Sequence, residues 1–87
     1  MKSAILPSFW TDYNFLEDSV KQRARKAYQL WAQNPFYPSL HFKCINDAEN
    51  IWSVRISLDY RAVGILDGDT VTWFWVGRHD NYERFFT

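Results

Sequence analysis

The clearest pattern in the sequence is an apolar stripe at helical spacing in the first half of the chain. Four residues form this stripe: Val20, Ala24, Ala27 and Trp31. Basic and amide side chains occupy the opposite face, so the pattern predicts a helix over residues 17–33. Asn34-Pro35 ends this helix, because the residue before a proline avoids helical angles. A shorter helix is predicted over residues 9–16, with Ser8 as its N-cap.

After Pro38 the period of the apolar positions changes from about 3.6 residues to about 2, which indicates strands. Four strands are predicted, over residues 40–45, 51–58, 60–66 and 70–76. The second of them directs every other residue from Trp52 to Leu58 to one face. Asp67-Gly68 predicts a tight hairpin turn between the last two. A weaker segment over residues 3–6, broken at Pro7, predicts an edge strand or an extended arm.

The last predicted strand is apolar on both faces. Alternation places Trp73 with Trp75 on one face, and Phe74 with Val76 on the other. A strand of this kind lies inside a sheet that is covered on both sides. The two helices would cover one face, and residues 80–86 are predicted to form a short helix that covers the other.

Together these elements predict an α+β fold. In it, two N-terminal helices pack on a twisted, mainly antiparallel sheet of about four strands, and a short C-terminal helix follows. A chain of 87 residues is expected to form a single domain, spanning residues 1–87. Aromatic residues make up 20% of the chain, and such large rings supply much of the apolar area that a small core needs.

The single cysteine and the absence of long apolar runs bear on where the protein works. Cys44 has no second cysteine with which to form an intramolecular disulfide, which favours a reducing compartment. The first residues lack a signal-like apolar run, and no stretch approaches the roughly 20 apolar residues of a membrane span. These features predict a cytoplasmic protein with no membrane partner.

Charge is balanced in total but uneven along the chain. Ten basic and ten acidic residues give a net charge of zero, which lends no general support to nucleic-acid binding. Residues 1–43 carry six basic and three acidic side chains, a net of +3, and residues 44–87 carry four and seven, a net of −3. The basic run over residues 21–26 is either a solvated helix face or a surface for a partner or a nucleic acid.

Three arginines are the main candidates for chemistry. Arg55 and Arg61 lie on neighbouring predicted strands, and Arg78 directly follows the last strand. Guanidinium groups that converge at one edge of a sheet face suit the oxygens of a phosphate. The alternative is that each arginine pairs separately with a nearby acid, such as Asp59 or Glu83.

Two residues beyond Arg78 are able to transfer protons. A histidine such as His79 can exchange a proton, and the Tyr82 hydroxyl can donate one. The alternative is structural, with His79 capping the terminal helix and Tyr82 packing on the sheet.

His41 has no second ligand at a useful spacing, so no metal site is predicted. Cys44 lacks an obvious activating partner and is expected to be a buried small apolar residue.

Six segments carry a family resemblance. They are residues 20–28, 34–35, 38–43, 51–56, 59–64 and 73–84. In their order and spacing they resemble the RelE/ParE toxin superfamily of bacterial type II toxin–antitoxin systems, over nearly the whole chain from Phe9 to Phe86. The fold of that family, two helices against an antiparallel sheet, agrees with the elements predicted above.

The resemblance implies a function and a set of site residues. RelE-like toxins cleave messenger RNA in the ribosomal A site, where the ribose 2′-hydroxyl attacks the adjacent phosphate without a metal or other cofactor. It therefore implies a toxin that acts on the ribosome and mRNA and is neutralised by a cognate antitoxin. Arg61 matches the arginine of the family that contacts the scissile phosphate. The implied catalytic set is Arg61, Arg78, Tyr82 and His79, and the implied RNA-binding residues are Lys43 and Arg55.

The same resemblance leaves two other functions open. ParE-like toxins act on DNA gyrase and need no such catalytic set. A catalytically silent member of the family would serve as an antitoxin-binding module.

Overall fold

The computed structural model describes all residues from Met1 to Thr87. Five strands form one sheet: β1 (Lys2–Ile5), β2 (Lys43–Asn46), β3 (Ile51–Ser57), β4 (Tyr60–Asp67) and β5 (Thr70–Arg78). Three α-helices accompany them: α1 (Pro7–Asn14), α2 (Asp18–Gln33) and α3 (His79–Phe86). The predicted α+β class and the three helices are confirmed. No helix is long and apolar enough to span a membrane.

The sheet has five strands rather than about four, because the N-terminal segment joins it. The strand order is β1-β5-β4-β3-β2, with every pair antiparallel except β1 and β5. Lys2 N donates to Asp69 O at 2.7 Å and Leu6 N to Trp73 O at 2.9 Å, so both ends of β1 are tied to β5. The predicted edge strand is confirmed, one residue earlier than expected, and Pro7 follows it where no ladder hydrogen bond is needed.

α1 begins at a proline rather than at a side-chain cap. Pro7 is the first helical residue, a position where a missing amide donor costs nothing, and Leu6 is the N-cap without a side-chain hydrogen bond. The prediction that Ser8 caps this helix was wrong. Its hydroxyl instead donates to Phe74 O at 2.9 Å and ties the helix to β5.

The core lies between the sheet and the two N-terminal helices. Trp31 of α2 is 2% exposed and packs edge-on against Trp73 of β5 at 5.4 Å and against Phe42 at 5.8 Å between ring centroids. Phe9 of α1 and Val54 of β3 belong to the same cluster. Large rings from α1, α2, β5 and the segment before β2 therefore supply the apolar contacts of this small core.

An apolar cleft of about 490 Å³ separates α1 from α2 and opens to the surface. Phe9, Trp10 and Tyr13 line it from α1, and Tyr28 and Trp31 line it from α2. Trp10 and Tyr28 are 46% and 42% exposed, so part of this apolar surface faces solvent.

A β-bulge in β5 changes the faces on which its aromatic residues lie. Val63 pairs with Trp75, and the next residue of β4, Gly64, pairs with Trp73, so Phe74 is the extra residue. The prediction that Trp73 and Trp75 share a face was therefore wrong. Trp73 and Val76 lie in the helix-side core, whereas the Phe74 and Trp75 rings lie 6.0 Å and 5.3 Å from that of Phe86 in α3.

Two other strand boundaries differ from the prediction. The expected strand over residues 40–45 begins only at Lys43, because Pro38–Leu40 forms a 3₁₀ turn and His41 has a left-handed φ of 45°. The strand expected to end at Leu58 ends at Ser57 after a register shift, and Leu58 is 70% exposed. Leu58 therefore does not continue the apolar face of β3.

The predicted cover of the second sheet face by the C-terminal segment is confirmed. α3 contacts β4 and β5, and Tyr82 at its centre is 5% exposed. Val63, which is fully buried, lies on this face opposite Ser53 and Trp75. The sheet is thus covered on both sides, as the apolar pattern of β5 predicted.

Gly64 is expected to be intolerant of any side chain. A Cβ at this position would lie 2.7 Å from Val71 Cγ1, 2.9 Å from Thr72 O and 3.0 Å from Trp73 Cε3. We predict that Gly64→Ala lowers the free energy of unfolding by about 1–3 kcal/mol, since β5 must shift to make room. Urea unfolding followed by circular dichroism measures this loss. Ile65→Ala, on the exposed side of the same strand, should cost less, and an equal loss would contradict the assigned contacts.

Candidate functional site

The face of the sheet under α3 carries most of the predicted site. Arg55 of β3 lies directly opposite Arg61 of β4, and Lys43 of β2 lies opposite Ser53 of β3. Residues directly opposite each other, or two positions apart on one strand, share a face. Lys43, Arg55 and Arg61 therefore form a basic strip along the part of this face that α3 leaves uncovered.

Arg61 is held by the backbone of the turn between β3 and β4. Its Nη1 donates to the carbonyl oxygens of Ser57 at 2.7 Å, Tyr60 at 3.0 Å and Leu58 at 3.3 Å. No acid forms an ion pair with it, and its Nη2 and Nε atoms have no protein partner. The guanidinium is thereby fixed in position with donors left for a ligand.

Burial and the neighbouring Arg55 lower the pKa of Arg61. The negative charges of Tyr82, Asp59 and Glu83, when present, act in the opposite direction. An arginine remains protonated at neutral pH even so. Arg61 is therefore an incompletely neutralised cation, which a bound anion would stabilise.

His79 and Tyr82 lie one helical turn apart on α3. The Tyr82 hydroxyl is 3.3 Å from Ser53 Oγ, and its ring centroid is 5.7 Å from that of His79. Tyr82 thus packs on the sheet, as the structural alternative had it. His79 is the first helical residue and not the cap; its amide donates to Asp59 O at 2.7 Å.

The His79 side chain is 36% exposed, so solvent reaches the imidazole. Its Nε2 lies 3.4 Å from Glu83 Oε1, one turn further along α3. The two side chains are close enough to form an ion pair when the imidazole carries a proton. The i,i+4 spacing of His79 and Glu83 in the sequence is a signal that could have revealed this pair.

Arg78 is not brought into the basic strip. It pairs with Tyr60 in the register, one position after the pair of Arg61 and Gly77. Because neighbouring residues of a strand alternate between faces, this register directs Arg78 away from Arg61. Arg78 is exposed and forms no ion pair. Two of the three predicted arginines converge, and none of the three pairs with an acid.

Ser53 is the residue of this face that the sequence argument missed. It is 2% exposed, and its hydroxyl contacts the Tyr82 hydroxyl. A serine in an alternating strand looks like an ordinary solvent-facing residue, so no local signal marks it. Its role as a contact of α3 follows from the register of three strands.

The remaining chemically reactive residues lie elsewhere. Cys44 Sγ donates to Asp47 Oδ1 at 3.2 Å, and this hydrogen bond, together with burial, raises the pKa of the thiol and suppresses the nucleophilic thiolate. Cys44 is half-buried and its thiol is hydrogen-bonded, so the expectation of a buried, purely apolar residue was wrong. His41 Nε2 lies 3.4 Å from Arg55 Nη1. No group of three or more His, Cys, Asp or Glu side chains is close enough together to hold a metal ion.

Comparison with known families identifies the chain. A family model described as a ParE-like toxin domain matches residues 18–84. The chain belongs to this family. The matched residues run from the start of α2 to α3, so the resemblance to RelE/ParE toxins drawn from the sequence is confirmed. A search of the curated proteins found no significant relative.

Several solved structures share the fold of this ParE-like chain. The YoeB/ParE toxin from Agrobacterium tumefaciens is 20% identical, with a TM-score of 0.71 over 91% of this chain and 99% of that chain. The toxin of the RelB-RelE antitoxin-toxin complex from Methanococcus jannaschii is 16% identical, with a TM-score of 0.76 over 97% and 99%. YafQ from Escherichia coli is 10% identical, with a TM-score of 0.73 over 92% and 94%. At these identities the likeness shows the fold alone, and the family model carries the assignment to the ParE-like toxins.

Proposed function

We propose that this ParE-like toxin is a metal-independent endoribonuclease that cleaves mRNA on the ribosome. The observation that carries the proposal is the fixed Arg61 guanidinium, which has free donors and the cation of Arg55 directly opposite it. Positively charged donors held in place before the reaction are what a phosphoryl transition state needs, because they stabilise developing charge without reorganisation.

The proposed reaction is a transfer at one phosphate. The ribose 2′-oxygen loses its proton to a base and forms a bond to phosphorus, while the bond from phosphorus to the 5′-oxygen breaks. The leaving oxygen takes up a proton, and a 2′,3′-cyclic phosphate remains. Arg61 and Arg55 would stabilise the extra negative charge on the equatorial oxygens, and Lys43 would bind a neighbouring part of the RNA backbone.

His79 suits the proton-transfer step better than Tyr82 in this conformation. The imidazole is partly exposed and lies beside the Glu83 carboxylate, which stabilises it once it has taken a proton. The Tyr82 hydroxyl is buried against Ser53, so it would reach a substrate only after a movement of α3. We therefore assign the base to His79. Tyr82 we assign to the second proton transfer. Arg78, which the register directs away from Arg61, has no assigned part in this reaction.

The proposed partner is a cognate antitoxin. The structure of the archaeal toxin with the same fold is a complex with its antitoxin RelB. This chain carries an apolar cleft between α1 and α2, lined by rings and partly open to solvent. Such a surface is typical of a protein that is covered by a partner, and a segment of the antitoxin would bury it.

A gyrase-directed toxin is the second candidate function. The matching family model is described as ParE-like, and ParE-like toxins were the alternative that the resemblance left open. In that case Arg61 would have no part in the toxic activity.

Expression of the chain without an antitoxin distinguishes these functions. We expect growth to stop, and sequencing of 5′ ends should show new cuts within translated messages. Arrest with intact messages and induction of the DNA-damage response would instead support the gyrase-directed function. Unchanged growth, with the soluble protein present at the same level, would contradict both and leave a silent, antitoxin-binding module.

A further inference from the structure

A second cavity lies beside the arginine pair and is distinct from the apolar cleft. It encloses about 470 Å³ between α2, the 3₁₀ turn and the end of β3. Arg23 and Lys26 line it from α2, and Arg55 lines it from β3. Ser39 and Ser57 add hydroxyl groups, and apolar side chains form the remaining wall.

The three cations of this cavity are not neutralised by the protein. No acidic residue lines the cavity, and the ion pairs in the structure are Lys2 with Asp69 and His79 with Glu83. Arg23 and Lys26 on the wall, with Arg55 at the neighbouring sheet edge, raise the local potential and attract an anion. Guanidinium groups and hydroxyls are the donors that most often contact phosphate oxygens in nucleic-acid complexes.

We infer that this cavity binds the backbone of single-stranded RNA next to the phosphate held at Arg61, an inference that rests on the proposed function. Arg55 lies between the two places, since it is opposite Arg61 on the face under α3 and also borders the cavity on the α2 side. β2 pairs with β3 only from Ile51 to Ser53, so the edge of the sheet at Arg55 is open. One continuous strand can contact both, which favours a polynucleotide over an isolated anion. Leu58, 70% exposed at the rim, offers an apolar surface to a ribose or a base.

The chain offers a matched control for this inference on the same helix. Lys21 and Arg25 carry the same total charge as Arg23 and Lys26, but they face α1. The Arg25 guanidinium donates to the Tyr13 hydroxyl at 2.6 Å, and Lys21 Nζ lies 5.7 Å from the centre of the Tyr13 ring. Arg23→Ala/Lys26→Ala and Lys21→Ala/Arg25→Ala therefore lower the net charge equally and differ in which surface loses it.

The test measures binding of a fluorescent single-stranded RNA of about ten nucleotides. 2′-O-methyl riboses prevent cleavage by removing the attacking hydroxyl. Fluorescence anisotropy across a salt series gives the slope of log K against log salt. Each phosphate contact on a single strand contributes about 0.7 to that slope, so Arg23→Ala/Lys26→Ala should reduce it by about 1.4. When the salt concentration is raised from about 50 to about 200 mM, both proteins lose affinity for the RNA. The factor lost by the wild type should be about seven times the factor lost by this variant. Lys21→Ala/Arg25→Ala should keep the wild-type slope.

Several results would overturn the inference. An equal change in both double variants would mean that net charge alone acts, and an unchanged slope in Arg23→Ala/Lys26→Ala would mean that the cavity makes no RNA contact. The inference is also wrong if Arg23→Ala/Lys26→Ala weakens the binding of a polyglutamate peptide but not the binding of the RNA. Full competition by inorganic pyrophosphate at a concentration that leaves Arg61-dependent binding intact would identify an isolated-anion site instead.

The cavity and the proposed function fail in different ways. If message cutting in cells depends on Arg61 while the slope of Arg23→Ala/Lys26→Ala is unchanged, the cavity inference alone is wrong. If the wild type neither binds the RNA nor cuts messages, both are wrong. Urea midpoints equal to that of the wild type would show that the exposed substitutions leave the fold intact.

Discussion

Arg61→Ala is expected to reduce the rate of message cleavage by about 10²–10³-fold, the usual cost of removing one fixed donor to a charged transition state. Arg61 is the cation that the β3–β4 turn holds with three carbonyl hydrogen bonds while other nitrogens stay free. Without it, Arg55 is left alone opposite the reacting phosphate. The measurement is single-turnover cleavage of mRNA on programmed ribosomes, together with growth after induced expression.

Two controls make the Arg61 result specific. Arg84→Ala removes the same charge from an exposed position on α3 and should leave cleavage within about twofold of the wild type, as expected for one screened surface charge. Arg61→Lys keeps the charge but not the planar set of donors, so partial activity is expected. Undiminished toxicity of Arg61→Ala would refute the proposed ribonuclease mechanism and favour the gyrase-directed function.

Trp31→Ala is expected to lower the free energy of unfolding by about 3–5 kcal/mol, the usual cost of removing a buried tryptophan side chain. Trp31 is 2% exposed and joins α2 to the rings of Trp73 and Phe42. Small domains of this kind are stable by only about 5–15 kcal/mol, so the loss is a large fraction of the total. Urea unfolding followed by far-UV circular dichroism measures it without relying on tryptophan fluorescence.

Trp10→Ala is the matched control for Trp31→Ala. Trp10 is 46% exposed at the edge of the apolar cleft, although its ring contacts Phe9 and Tyr13 edge-on. Its removal should cost about 1 kcal/mol or less, because little fully buried area is lost. Equal losses for the two substitutions would mean that the core is not centred on α2.

The two large effects separate activity from stability. Arg61 donates to carbonyl oxygens of a turn near the surface, and water can reach these oxygens once the side chain is removed. Arg61→Ala should therefore lower the midpoint of unfolding much less than Trp31→Ala does. Trp31→Ala should reduce the toxic effect only through the fraction of folded protein. If both variants lose activity but only Trp31→Ala shows a large loss of stability, the site and the core are distinct.

Much of the fold was predictable because the patterns are local. α2 follows from one apolar stripe and a closing proline, and the hairpin of β4 and β5 follows from Asp67-Gly68 between two alternating segments. Gly68 has the positive φ of 61° that such a turn requires. The cover of the second face by α3 followed from an apolar strand that needs burial on both sides.

The candidate site was predicted in part. Arg55 and Arg61 converge because an antiparallel hairpin places them opposite each other, which the short turn at Asp59 already indicated. Arg78 lies outside the basic strip because the register pairs it with Tyr60, whereas Arg61 pairs with the preceding residue, Gly77. A one-residue step reverses the face of a side chain, and no local pattern reports the register.

Local chemistry thus determined the helices, the turns and the alternation of most strands, because these depend on residues close together along the chain. Other features depend on contacts between distant segments. They include the parallel edge strand β1, the bulge at Phe74, the burial of Tyr82 over Ser53, and the cavity shared by Arg23, Lys26 and Arg55. Packing of large rings on both faces of one small sheet sets these contacts, and the tertiary structure alone decides which charges remain unpaired and near each other.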